Sequence, residues 1–162
     1  MDRTASAVWH GGLKDGKGKI STQSGVLKDS QYSFGTRFEN GIGTNPEELI
    51  AAAHAGCFTM ALSAQLTTAN LPPESIETKA TVTFGKTDAG PTITKILLAT
   101  TAKVPGADKA AFDKAAEDAK ANCPISRLFK NTTEITLDAN LALMGKPTLR
   151  KKRRVGPIPH GS

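Results

Sequence analysis

Short apolar runs at Ala5-Ser6-Ala7-Val8-Trp9 and Gly25-Val26-Leu27 are separated by glycine and lysine clusters such as Gly11-Gly12-Leu13-Lys14-Asp15-Gly16-Lys17-Gly18. This pattern predicts short antiparallel strands joined by tight turns between Thr4 and about Ser33. A stretch rich in Gly, Asn and Thr from about Gly35 to Thr44 reads as a loop, and it carries Arg37 and Glu39. A strong helix start follows. Asn45 can cap, Pro46 takes the first helical position, and Glu47 and Glu48 lie where the helix dipole favours negative charge. The next 18 residues, Leu49 to Leu66, hold no charge. Six alanines together with His54, Gly56, Thr59, Ser63 and Gln65 make the segment weakly apolar for a membrane span. A helix without a polar face is better explained as buried all round, and in a chain this short a second subunit would have to supply part of the cover.

Beyond Pro72-Pro73, strict alternation over Ile76 to Phe84 and again over Thr92 to Leu97 predicts a strand pair with one solvated face, turning at Asp88-Ala89-Gly90-Pro91. Asp108 to Ala121 reads as an alanine-rich amphipathic helix, a short helix begins near Cys123-Pro124, and Glu134 to Leu143 alternates once more. The order β-β-β, α, β-β, α, β is that of an α+β protein.

Charge changes this picture only at the end of the chain. Of 162 residues, 21 are Lys or Arg and 15 are Asp or Glu. Six of the basic residues and none of the acidic ones lie from Lys146 onward, so residues 1–145 carry 15 of each sign. A neutral body argues against a nucleic-acid-binding face on the folded part. Residues 1–145 are expected to form one domain, and 146–162, with the run Arg150-Lys151-Lys152-Arg153-Arg154, a disordered basic tail. No secretory signal is evident, which points to the cytoplasm, with no membrane partner. In a reducing compartment, two cysteines 66 positions apart are reactive thiols or inert buried ones rather than a permanent staple, and two cannot complete a zinc site.

Cys57 lies well inside the apolar helix, where burial raises a thiol pKa, so it is reactive only if a positive group reaches it. Arg37 is the best-placed cation by sequence, ahead of Lys14 and Lys17. Cys123 directly precedes Pro124, at a helix start whose dipole favours a thiolate. Local physics leaves open which of the two attacks first. Glu47 is ten residues from Cys57, about 15 Å along one helix, so the two can meet only if copies of the helix pack antiparallel across a two-fold axis. His54, one turn before Cys57, is either half of a cysteine-histidine pair or a core or interface histidine.

The run Gly43-Thr44-Asn45-Pro46-Glu47-Glu48-Leu49-Ile50-Ala51-Ala52-Ala53-His54-Ala55-Gly56-Cys57-Phe58 resembles the signature helix of the OsmC/Ohr family (osmotically inducible protein C, organic hydroperoxide resistance). Cys123-Pro124-Ile125-Ser126 resembles that family's second cysteine segment, and Tyr32 to Glu39, around Arg37, is closer to the OsmC branch. The likeness covers about residues 4 to 143 and ends before the basic tail.

The resemblance implies antiparallel sheets wrapped around a buried central helix in an intertwined homodimer, with sites built from both chains. It further implies a thiol peroxidase for organic hydroperoxides and hydrogen peroxide, acting in oxidative and osmotic stress defence. Cys57 would be the peroxidatic cysteine and Cys123 its resolving partner through a disulfide. Arg37 would stabilise the thiolate and the departing oxyanion, and Glu47 would hold Arg37. No metal, flavin or haem is implied, and an external thiol supplies the electrons. Phe34, Phe38, Phe58 and Met60 either line an apolar substrate pocket or are plain core. The competing readings are a redox sensor or binding module whose thiols oxidise without turnover, and a structural dimer with inert thiols.

Overall fold

The computed structural model describes residues 1–142; the basic tail and Leu143 lie outside the described residues. The N-terminal strands β1 (Ala5–His10), β2 (Lys17–Thr22) and β3 (Ser30–Ser33) form an antiparallel sheet in that order. Trp9 packs on Tyr32 at 5.3 Å between ring centroids. Gly18 lies beneath them, and a Cβ there would fall 2.2 Å from the Tyr32 ring, so only glycine admits this pairing. Every residue of β1 except Trp9 is exposed, so neither face of that strand is covered by the rest of its own chain.

The expected loop contains one turn of helix, α1 (Phe34–Phe38). A capping box makes it: the Ser33 hydroxyl accepts from the Thr36 N–H at 3.2 Å, and the Thr36 hydroxyl accepts from the Ser33 N–H at 2.8 Å.

The long helix α2 (Pro46–Thr68) starts as its sequence predicts, with the Asn45 side chain accepting from the Glu48 N–H at 2.8 Å. It is long and apolar enough to cross a membrane by length and composition, but its His54, Phe58, Leu62 and Leu66 stripe packs into the protein core. Each fully buried Phe or Leu there contributes roughly 1.5–3 kcal/mol. Within one chain the helix is buried on one side only. Ala52, Ala53, Gly56, Met60 and Ala64 remain open, and Met60 is 76% exposed.

The core side of α2 faces a second sheet of β4 (Ser75–Thr87), β5 (Gly90–Lys103) and β6 (Glu134–Leu141) in that order. Central β5 contributes Ile96, Leu98 and Ala102 to the core. A chain of hydroxyls runs across this layer, from Thr59 on α2 to Thr78 at 2.8 Å and from Thr78 to Thr100 at 2.9 Å. The β4–β5 pair is antiparallel, as alternation suggests, but β6 joins β5 in parallel, so this sheet is mixed and not antiparallel throughout. The crossover needed for parallel pairing is supplied by α3 (Lys109–Asn122) and α4 (Pro124–Phe129). Helix α3 packs Phe112, Ala115, Ala116 and Ala119 onto α2.

Candidate active site

The crossover carries Cys123 to the middle of α2. Its sulfur lies 3.0 Å from that of Cys57, although the two residues are 66 positions apart. Both are free thiols, Cys123 fully buried and Cys57 partly so. Burial pushes the Cys57 thiol up, and the adjacent Cys123 pushes it the same way. The nearby backbone N–H of Ile125 works against both. Cys123 is the N-cap of α4 but its side chain caps nothing, and Pro124 has no N–H to offer. The start of α4 is therefore directed at Cys57 rather than at Cys123, where the sequence alone places its influence.

His54 is fully buried one turn before Cys57, with Nε2 2.8 Å from the Ser126 hydroxyl and its ring 6.2 Å from that of Phe129. Its Nδ1 has no partner among the described residues, and burial pushes its pKa down, which keeps the ring neutral. It hydrogen-bonds Ser126 and not Cys57, so it is a core histidine rather than half of a cysteine-histidine pair.

The charged residues gather at the other end of the site's scaffold. Arg37 on α1 donates from Nε and Nη2 to the Glu47 carboxylate on the first turn of α2, at 2.7 to 3.2 Å. Bidentate contact of this kind fixes the plane of the guanidinium. Asn45 holds the two helices together, capping α2 with its oxygen and donating from Nδ2 to the Thr36 carbonyl at 3.1 Å. The strand-side anchor is Gly43, at φ +143°, where a Cβ would meet the Gln31 carbonyl oxygen at 2.5 Å. Glu48, by contrast, accepts only from the Thr44 hydroxyl at 3.1 Å and serves the helix start.

The guanidinium also lies 5.2 Å from the Phe38 ring centroid and 5.1 Å from that of Phe84. Beside it opens a cavity of about 310 Å³ lined by Trp9, Leu13, Tyr32, Phe34, Phe38 and Pro46, among others. Of the four apolar residues expected around a pocket, Phe34 and Phe38 line this one. Phe58 belongs to the core and Met60 faces outward. Phe84 follows a register shift at Thr83/Phe84 in β4.

One chain thus brings Cys57 to Cys123 and Arg37 to Glu47, but it does not bring the two pairs together. Among the described residues no cation acts on the Cys57 sulfur, and Lys14, in the β1–β2 turn, and Lys17, on β2, are exposed. No three His, Cys, Asp or Glu side chains among the described residues are grouped closely enough to hold a metal ion.

The OsmC-like protein family model matches residues 38–138. The chain belongs to the OsmC-like family. Within it, the chain is 52% identical to peroxiredoxin OsmC of Escherichia coli strain K12 over 141 residues, covering 87% of this chain and 97% of that one. It is 33% identical over 98 residues to an organic hydroperoxide resistance protein of Xanthomonas axonopodis pv. citri, covering 60% of this chain and 67% of that one. The crystal structure of the organic hydroperoxide resistance protein OhrB of Bacillus subtilis superposes with a TM-score of 0.64 at 25% identity, over 85% of this chain and 98% of that one. The OsmC-like fold expected from the signature helix is therefore the fold observed.

Proposed function

We propose that this chain is a thiol-dependent peroxidase that reduces organic hydroperoxides and hydrogen peroxide, working as a homodimer in the reducing cytoplasm. The observation that carries this reading is the pair of free thiols 3.0 Å apart, in a chain 52% identical to a protein named peroxiredoxin. The Cys57 thiolate attacks the terminal oxygen of the hydroperoxide, the O–O bond breaks, and the departing alkoxide takes a proton to leave as an alcohol. Cys57 becomes a sulfenic acid, an accessible step of cysteine oxidation. The Cys123 sulfur then attacks that of Cys57; an S–S bond forms, the S–O bond breaks, and the hydroxyl leaves as water with the Cys123 proton. An external dithiol returns the two electrons by exchange.

Arg37 stabilises the thiolate and the developing alkoxide, and Glu47 holds its guanidinium in place. Within one chain Arg37 pairs with Glu47, about 15 Å along α2 from Cys57, so the arginine that serves Cys57 is that of a second copy. Two further features support pairing of α2 with a copy of itself. Gly56 has nothing within 4 Å of where a Cβ would stand, so its own chain gives no steric reason for a glycine that costs a helix roughly 1 kcal/mol. The open face around it is uncharged, and both faces of β1 are uncovered. The aromatic cavity beside Arg37 then receives the alkyl part of the substrate. Residues 1–145 act as the catalytic domain and the basic tail takes no part in the chemistry.

Cumene hydroperoxide consumption with a dithiol tests this reading. Cys57→Ser is expected to abolish turnover, while Cys123→Ser still yields one equivalent of sulfenic acid. Stoichiometric oxidation of wild type without turnover would leave a redox sensor in its place.

A further inference from the structure

The reaction above needs α4 to be held at a fixed distance from α2 in two respects. The Cys123 sulfur must stay near Cys57, and the Ile125 N–H must stay beside the Cys57 sulfur. Backbone continuity does not secure either. Helix α4 has only six residues, begins with a proline, and receives no side-chain cap from Cys123. Forming the disulfide moreover requires the sulfurs to close from 3.0 Å to about 2.05 Å.

One polar contact joins the same two elements. His54 is three residues before Cys57, Ser126 is three residues after Cys123, and they meet at 2.8 Å in a place where both are buried. The bond therefore lies one helical turn from the thiol contact and spans the same gap. In an apolar interior the alternative to this bond is two unsatisfied polar atoms, so it resists opening more than an exposed bond of the same length would. The His54 side chain leaves Nδ1 without a partner among the described residues, so it has no second contact there with which to compensate.

We infer that the His54–Ser126 hydrogen bond is a positioning device for resolution: it holds α4 against α2 so that Cys123 captures the Cys57 sulfenic acid before a second hydroperoxide does. This rests on the peroxidase reading and adds to it. Two fates compete for the sulfenic acid. In one, Cys123 displaces hydroxide, which leaves as water, and the disulfide protects both sulfurs. In the other, a second hydroperoxide transfers its terminal oxygen to the Cys57 sulfur, the O–O bond breaks, an alcohol leaves, and a sulfinic acid remains, outside the reach of thiol reductants. Neither His54 nor Ser126 touches the substrate in this scheme. They act through the placement of Cys123 and Ile125.

The test follows the fate of Cys57 by mass spectrometry after mixing the full-length reduced protein with graded cumene hydroperoxide. Loss of one buried hydrogen bond is expected to slow disulfide formation in Ser126→Ala by on the order of tenfold. The share of sulfinic acid at a given excess of hydroperoxide should rise correspondingly. His54→Leu, which removes the other partner, should behave alike. His54→Gln, whose amide can occupy the position of Nε2, should restore the wild-type partition. Equal partition in wild type and Ser126→Ala overturns the inference, and so does a His54→Gln protein as defective as His54→Leu, since packing rather than the bond would then be at work. Hydrogen exchange at the amides of Ile125 to Phe129 reads the same contact without peroxide. Faster exchange in Ser126→Ala is expected, and unchanged exchange would also overturn the inference. Should wild type form no Cys57–Cys123 disulfide while exchange still accelerates in Ser126→Ala, the peroxidase reading fails and the tether between α2 and α4 stands.

Discussion

Cys57 and Arg37 are both fastened to α2, yet their surroundings are opposite. The thiol pair sits where α2, α3 and α4 close over one another, and burial there raises the energy of the thiolate that the chemistry needs. The Arg37–Glu47 pair sits at the helix start, with the Arg37 side chain 38% exposed. The region that positions the proposed nucleophile penalises its charge, and the region that holds the proposed compensating cation leaves part of it to water. A charge tethered by a carboxylate and two aromatic rings is already oriented before it has anything to stabilise. Carried into a desolvated site, it acts with little of the screening that weakens it in the open.

The most direct way to break this contrast is Arg37→Ala. Removal of one pre-oriented donor from a charge-developing site is expected to lower the second-order rate with cumene hydroperoxide by roughly 10²–10³-fold. Stability should fall by about 1–3 kcal/mol, because the Glu47 side chain, only 14% exposed, loses the partner of its carboxylate. The same variant should move the pH profile of Cys57 alkylation upward. Without the cation the thiolate fraction at neutral pH falls, and reactivity returns only as pH is raised. An unchanged profile would mean that Arg37 never acts on Cys57.

A second variant tests whether the arginine comes from another copy. Met60→Glu places a carboxylate on the open face of α2, at a side chain 76% exposed in the single chain, so folding of that chain should tolerate it. In a dimer paired through this face the charge would be buried and unpaired, at a cost of several kcal/mol. Light scattering should then show half the wild-type mass, with activity lowered by about tenfold or more and the upward alkylation profile of Arg37→Ala reproduced. Wild-type mass and activity would place the pairing surface elsewhere and require another source of charge for Cys57.

What the sequence made legible divides along the same line. Helix α2 could be read in full because Asn45, Pro46, Glu47 and Glu48 each act within one turn of their own position. The one-turn α1 was hidden because its capping box uses Thr36 where a Glu or Gln is the familiar signal. Alternation in Glu134 to Leu143 tells which residues share a face and nothing about direction, so the parallel pairing of β6 is not visible in it. The meeting of Cys57 with Cys123 depends on how far a crossover travels, which no local rule states; the resemblance supplied it. Ser126 escaped notice because a serine three residues into a short helix has many uses, and only the fold brings it to His54.

The smallest expected effect concerns the buried side of the contrast. Burial depresses the pKa of His54 below the value of about 6.5 that it has in the unfolded chain. Below that value the unfolded chain binds a proton that the folded chain refuses, so stability is complete above about pH 6.5 and declines as pH falls through it, down to the folded-state pKa. Thermal unfolding of wild type between pH 7 and 5 should therefore show a fall in Tm steeper by a few degrees than that of His54→Gln, which has no proton to take up. Carboxylates contribute equally to both proteins, so the difference isolates one ring. The Arg37–Glu47 pair, open to solvent on its Arg37 side, should answer instead to salt, weakening with ionic strength at constant pH. Parallel slopes for the two proteins would mean that protonated His54 is tolerated where it stands, and that its unpartnered Nδ1 can find an acceptor when it carries a proton.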